Sequence, residues 1–72
     1  MWLVPRVTIF VNGQPRELDQ SLTVAELLQH LEIPPRGVAV EVNLQLVSRT
    51  RHAEHQLSDG DQLEIVTLVG GG

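Results

Sequence analysis

The chain has 72 residues, 42% of them hydrophobic, no cysteine and a formal net charge of −4. That length allows one domain with a small core, because a domain of ~60 residues buries only about 60% of the surface its unfolded chain exposes, and without cysteine neither a disulfide nor a thiolate metal site can staple it. The basic residues are five scattered arginines against nine acids, which argues against a nucleic-acid surface, and the lack of lysine excludes an isopeptide acceptor, a Schiff base and a catalytic amine.

The opening MWLVPR is too short and too weakly basic for a signal peptide, and no apolar run approaches the ~20 residues of a membrane span, so the cytosol is the expected compartment. RVTIFVNGQPREL then reads as a hairpin. Val7, Ile9 and Val11 alternate with Thr8, Phe10 and Asn12, Asn12-Gly13 suits a tight turn with positive φ, and Glu17 and Leu18 lie on the returning strand. In LTVAELLQHL the period changes, with Val24, Leu27, Leu28 and Leu31 on one helical face. Thr23 and Glu26 form a capping box, Leu22 and Leu27 stand at the positions of a hydrophobic staple, and Pro34-Pro35 followed by Gly37 is expected to end the helix.

Alternation returns in VAVEVN, where Val38, Val40 and Val42 share one face and Ala39, Glu41 and Asn43 the other. A short apolar piece, Leu44 to Val47, comes next. The polar SRTRHAEHQ is expected to be a connecting loop with at most one helical turn, and Leu57 is assigned to a short strand before the turn residues SDGD. QLEIVTLV is a final β-rich element that runs into three glycines. The order of elements predicts an α+β domain over residues 1–69, a sheet with one helix across one face, and a tail over residues 70–72.

Side-chain chemistry offers little. His52 and His55 have H-x-x-H spacing, but zinc needs three or four ligands, and in so polar a loop the pair reads as solvated surface. His30 suits the negative end of the helix dipole. Asp59-Gly60-Asp61 lacks the further oxygen ligands of a calcium loop and reads as a tight turn. Ser21, Ser48 and Ser58 have turn or cap roles, none in a nucleophile elbow, and Arg49 and Arg51 read as exposed loop charges. No enzyme is expected. The glycine end is different, since a terminal carboxylate converted to an acyl-adenylate becomes open to a sulfur nucleophile or an amine, and residues without Cβ can enter a narrow channel in another protein.

VNGQPREL, LTVAELLQHL, VAVEVNLQLVSR and DGDQLEIVTLVGGG, in that order and spacing, resemble the ThiS family of bacterial sulfur carriers in thiamine biosynthesis, over nearly the whole chain. The resemblance implies a ubiquitin-like β-grasp fold: a mixed sheet of about five strands, first and last adjacent at its centre, one main helix and a flexible glycine tail. It also implies a non-enzymatic co-substrate. An adenylating enzyme of the ubiquitin-activating type, ThiF, would use ATP to activate the terminal glycine. Sulfur from cysteine, through a desulfurase or sulfurtransferase relay, would replace AMP, and the thiocarboxylate would serve thiazole synthase, ThiG.

Gly71 and Gly72 would carry that chemistry, Gly70 would belong to the tail, and no cofactor or metal would be bound. Departures from the family are the third glycine, where two are usual, and Ser48 and His52, where relatives often carry proline and tryptophan. With the first and last strands side by side and Leu63 and Ile65 facing inward, the alternation places Phe10, Val66 and Leu68 together on the open face as a partner-binding patch. Other functions compatible with such a tail are a carrier for molybdopterin or tRNA thiolation and a protein modifier; a noncatalytic β-grasp binding module belongs to another class.

Overall fold

A computed structural model describes residues 6–68. The elements are β1 (Val7–Val11), β2 (Gln14–Leu18), α1 (Val24–His30), β3 (Val38–Val42), β4 (Gln45–Val47), a single 3-10 turn (Arg49–Arg51) and β5 (Gln62–Thr67). They form a five-stranded sheet in the order β2-β1-β5-β3-β4. β1 and β5 are parallel and the other neighbours antiparallel. This is the expected mixed sheet with its first and last strands at the centre.

Alternation decides which face is covered. Val7, Ile9 and Val11 of β1, Val40 and Val42 of β3 and Leu63 of β5 form one buried cluster with Val24, Leu27 and Leu28 of α1, and Leu22, Leu31, Ile33, Val38 and Ile65 pack around it. The helix therefore lies across that face. Ile9, Leu27, Leu28, Leu57, Leu63, Val24 and Val40 are fully buried, and each such side chain contributes about 1.5 to 3 kcal/mol relative to exposure.

Both halves of the capping box are present: the Glu26 N–H donates to Thr23 Oγ1 at 3.1 Å and the Thr23 N–H donates to Glu26 Oε1 at 2.9 Å. The two preceding donors of the helix, the Val24 and Ala25 N–H groups, reach the carbonyls of His55 and His52, both at 2.9 Å. All four free donors at the start of the helix are thus satisfied internally, and those of Val24 and Ala25 tie α1 to the polar loop.

The helix ends earlier than Pro34-Pro35. Leu31 is its C-cap, Glu32 takes φ 58°, and the N–H groups of Glu32 and Ile33 donate to the carbonyls of Gln29 and Leu28. That is a Schellman motif with glutamate in the left-handed position that glycine usually fills. Ile33, on the core, supplies the apolar contact that accompanies such an ending.

Two other expectations change. Leu57 is in no strand: the bridge is between Thr23 and Gln56, and Leu57 is buried beside it with its N–H on the Leu22 carbonyl at 2.8 Å. His52 is not solvated surface. It is buried, with Nε2 3.1 Å from the Val47 carbonyl oxygen and Nδ1 without a partner among the described residues. The 3-10 turn folds the chain back under β4 and carries this ring inward, which a polar neighbourhood of sequence does not disclose. The expected boundary between residues 69 and 70 lies outside the described residues, and no helix among those described is long and apolar enough to cross a membrane.

Left-handed conformations cost a residue with a Cβ roughly 1 kcal/mol or more. Glu32→Gly is therefore expected to stabilise the fold by about 0.5 to 1 kcal/mol, less than the full strain because glycine also loses more entropy on folding. Urea unfolding monitored by circular dichroism measures it; no gain in midpoint would show that the Schellman turn is unstrained.

Candidate functional site

β5 is the element that leads to the glycines, and its two edges are held differently. On one side it pairs with β3 along its whole length, from Val42↔Leu63 to Val38↔Thr67, and the Leu68 N–H then donates to the Gly37 carbonyl at 2.7 Å. On the other side the ladder with β1 is short: Phe10↔Gln62 and Val11↔Leu63. The Asn12-Gly13 turn, with φ 51° and 83°, takes the chain away there.

Asn12 nevertheless extends the pairing by one step. Its Oδ1 accepts the Ile65 N–H at 2.9 Å and its Nδ2 donates to the Ile65 carbonyl at 3.2 Å, so the side-chain amide stands where a strand peptide would. Beyond Ile65 the main chain of β5 is held, among the described residues, by β3 and the Gly37 carbonyl just before it.

The face opposite the helix is open. Pairing aligns Phe10 with Gln62, Glu41 with Glu64 and with Leu46, and Ala39 with Val66. Phe10 is half-buried, whereas Leu46, Val66 and Leu68 are exposed. The expected face is therefore correct for Phe10, Val66 and Leu68, but they do not form one patch. Phe10 stands opposite Gln62, four residues before Val66 in β5, which is ~13 Å along a strand. Between them runs the row containing Glu64 and Glu41. The cause is register: β1 must turn at Asn12, so it meets only the first half of β5.

Glu41, Glu64, Leu44 and Leu46 were not singled out by sequence. Alternation along each strand shows that Glu41 points away from the core, yet only pairing reveals that Glu64 faces it. Leu44 lies in a second tight hairpin turn, Asn43-Leu44, with φ 52° and 69°, and is 90% exposed. The signal was the asparagine after an alternating run, with leucine in place of the usual glycine.

The remaining candidates are structural. Asp59 Oδ1 accepts the Thr8 N–H at 2.7 Å, and Asp61 accepts the Ser58 N–H at 2.8 Å and the Asn43 Nδ2 donor at 2.9 Å. Their carboxylates thus close a turn whose Gly60 has φ 90°. No cluster of three or more possible metal ligands occurs among the described residues. Ser21 Oγ donates to the Leu57 carbonyl at 2.6 Å, Arg51 lies 3.9 Å from Glu54, and His30 sits in the last helical turn as expected. Gly70, Gly71 and Gly72 lie outside the described residues.

Comparison with known proteins places these features in a family. The ThiS family model matches residues 9–72. The chain is 36% identical over 64 residues to the sulfur carrier protein ThiS of Escherichia coli, covering 89% of this chain and 97% of that protein. It is 44% identical over 64 residues to a thiazole synthase of Paramagnetospirillum magneticum, but spans only 20% of that longer protein. Among solved structures, the crystal structure of the thiamine biosynthesis protein ThiS of Geobacter metallireducens superposes with a TM-score of 0.80 at 35% identity, covering 92% of this chain and 100% of that one.

Asn12→Gly keeps the left-handed turn and removes both bonds to Ile65. Two solvent-facing hydrogen bonds are worth about 1 to 2 kcal/mol together at most. The expected result is a loss of that size in unfolding free energy, with hydrogen exchange accelerated at the Ile65 amide more than at Val40. Equal protection at Ile65 in both proteins would show that the side-chain amide contributes nothing to holding β5.

Proposed function

The chain belongs to the ThiS family, and we propose that it carries sulfur as a thiocarboxylate on Gly72 and delivers it to a thiazole synthase for the thiazole half of thiamine. The observation that carries this reading is the family match over residues 9–72, together with the likeness to the Escherichia coli sulfur carrier along 97% of that protein. The protein is a co-substrate and not a catalyst. The third glycine leaves two candidate ends, Gly72 itself or Gly71 after trimming.

The chemistry derives from the terminus. A carboxylate is a poor electrophile, so an adenylating enzyme of the ThiF type first joins it to AMP at the expense of ATP. A persulfide, its outer sulfur supplied from cysteine through a desulfurase or sulfurtransferase relay, then attacks the acyl carbon and expels AMP. A thiol cleaves the resulting acyl disulfide, ending in a disulfide itself and releasing the acyl sulfur at the sulfide level. The resulting thiocarboxylate is a soft nucleophile for the synthase. The setting is assigned to the cytosol, where a cysteine-free core needs no oxidising compartment.

Gly70, Gly71 and Gly72 span ~10 Å when extended, enough to carry the carboxylate into a partner while the sheet stays outside. Ordering them costs about 1 to 2 kcal/mol per residue, which keeps each complex releasable. Because β5 is fixed between neighbours as far as Ile65 and on β3 to Leu68, the glycines are presented from an anchored root. Phe10, Val66 and Leu68 supply the contacts of the body with its partners.

Removing Gly71 and Gly72 is expected to leave the melting temperature unchanged and to abolish ATP–pyrophosphate exchange by the cognate adenylating enzyme. Exchange at the full rate would refute activation at the glycine end. A chain ending at Gly71 separates the two candidate termini in the same assay. Phe10→Ser should weaken binding to that enzyme by about tenfold while the domain stays folded; an unaltered affinity in titration calorimetry would take Phe10 out of recognition.

A further inference from the structure

The open sheet face contains three features close together, of which the first two oppose stability and the third leaves apolar surface in water. Glu41 and Glu64 are direct cross-strand partners. The Asn43 N–H donates to the Gln62 carbonyl and the Leu68 N–H to the Gly37 carbonyl. The alternating ladder thus makes Glu41 and Glu64 a hydrogen-bonded pair, with Cα atoms ~5.5 Å apart, and like charges so placed repel. The ion pairs among the described residues are Arg6–Glu17 and Arg51–Glu54, so neither carboxylate has a cation.

The second feature is Leu44, a leucine held at φ 69° in a position that suits glycine. The third is the exposure of Leu44 at 90% and of Leu46, which pairs with Glu41, at 68%. A hollow of about 470 Å³ joins the two carboxylates to Leu44, bordered by Glu41, Asn43, Leu44, Gln62 and Glu64, with Leu46 outside it. It has two carboxylates on its floor and an apolar wall.

We propose that this hollow is the seat of an arginine from the docking surface of thiazole synthase, a proposal that rests on the functional reading above. The guanidinium presents five N–H donors in a planar fork and can bridge two carboxylates at this spacing, whereas an ammonium is a compact point charge. Its methylene stem lies against Leu44, as long cationic side chains do on apolar surface. Apolar side chains of the same surface meet Val66 and Leu68. Charge rules out a second copy of this chain on the face, because a two-fold contact would gather four carboxylates, and the same sign excludes an anionic partner.

The test is titration calorimetry of the full chain against the thiazole synthase from the same organism, at low and high salt, with thermal unfolding in parallel. Glu41→Gln/Glu64→Gln is expected to bind at least ~10-fold more weakly, with a flatter salt dependence, and to melt about 1 to 5 °C higher. Leu44→Gly is expected to melt higher as well and to bind roughly fivefold more weakly. Binding unchanged in the double variant, while the wild type binds, overturns the arginine seat alone. Weaker binding accompanied by a lower melting temperature also overturns it, since the carboxylates would then be holding the fold. A wild-type chain that does not bind the synthase overturns the functional reading and the seat together.

Discussion

Phe10 and Val11 come from one end of the chain, Gln62 and Leu63 from the other, and they must lie side by side in parallel before the helix has a continuous face to cover. Parallel neighbours need a crossover, and here nearly everything between them serves as one. The shared ladder is short, so polar side chains lengthen it at both ends. Asp59 accepts the Thr8 N–H before the paired residues and Asn12 grips Ile65 after them, while the Gly60 N–H donates to the Thr8 carbonyl at 2.7 Å. The two turns that border β5 and β1 are thus built into the centre of the sheet, and a substitution in either is felt at the root of the glycine tail.

The two faces of the sheet obey different rules. On the covered face the central positions agree with burial: valines and isoleucine alternate inward and the helix supplies leucines, while polar Gln14, Arg16 and Gln45 occupy the same face only on the edge strands. On the open face, local preference is violated repeatedly within a small area, by facing glutamates, by leucine in a left-handed turn and by exposed aliphatic side chains. Such conflicts are expected where a surface is shaped for something outside the chain. Glu32 shows that strain alone is not enough to mark a site, because it too has positive φ, yet it sits at the helix end away from this face.

What could be read from sequence depended on how local the determining interaction was. The capping box, the Asn12-Gly13 hairpin, the inward valines and the turn around Gly60 are each decided within a few residues, and all stand where the patterns put them. The central pairing of β1 with β5 came from likeness to a family, since periodicity cannot choose neighbours. Register was beyond reach for the same reason: Phe10 was expected beside Val66 and lies beside Gln62. His52 was misjudged because its polar neighbours are exposed while the ring alone turns under β4 to the Val47 carbonyl.

Adjacent parallel strands from opposite ends of a chain also have a mechanical meaning. Tension between the start of β1 and the end of β5 pulls the two past each other lengthwise, so the bonds from Thr8 and Asp59 through Asn12 and Ile65 bear the load in shear and yield together. A body tugged by its tail while gripped elsewhere resists in its strongest direction. Load applied at the end of β5 is therefore carried by the central pair of strands before it reaches the rest of the domain.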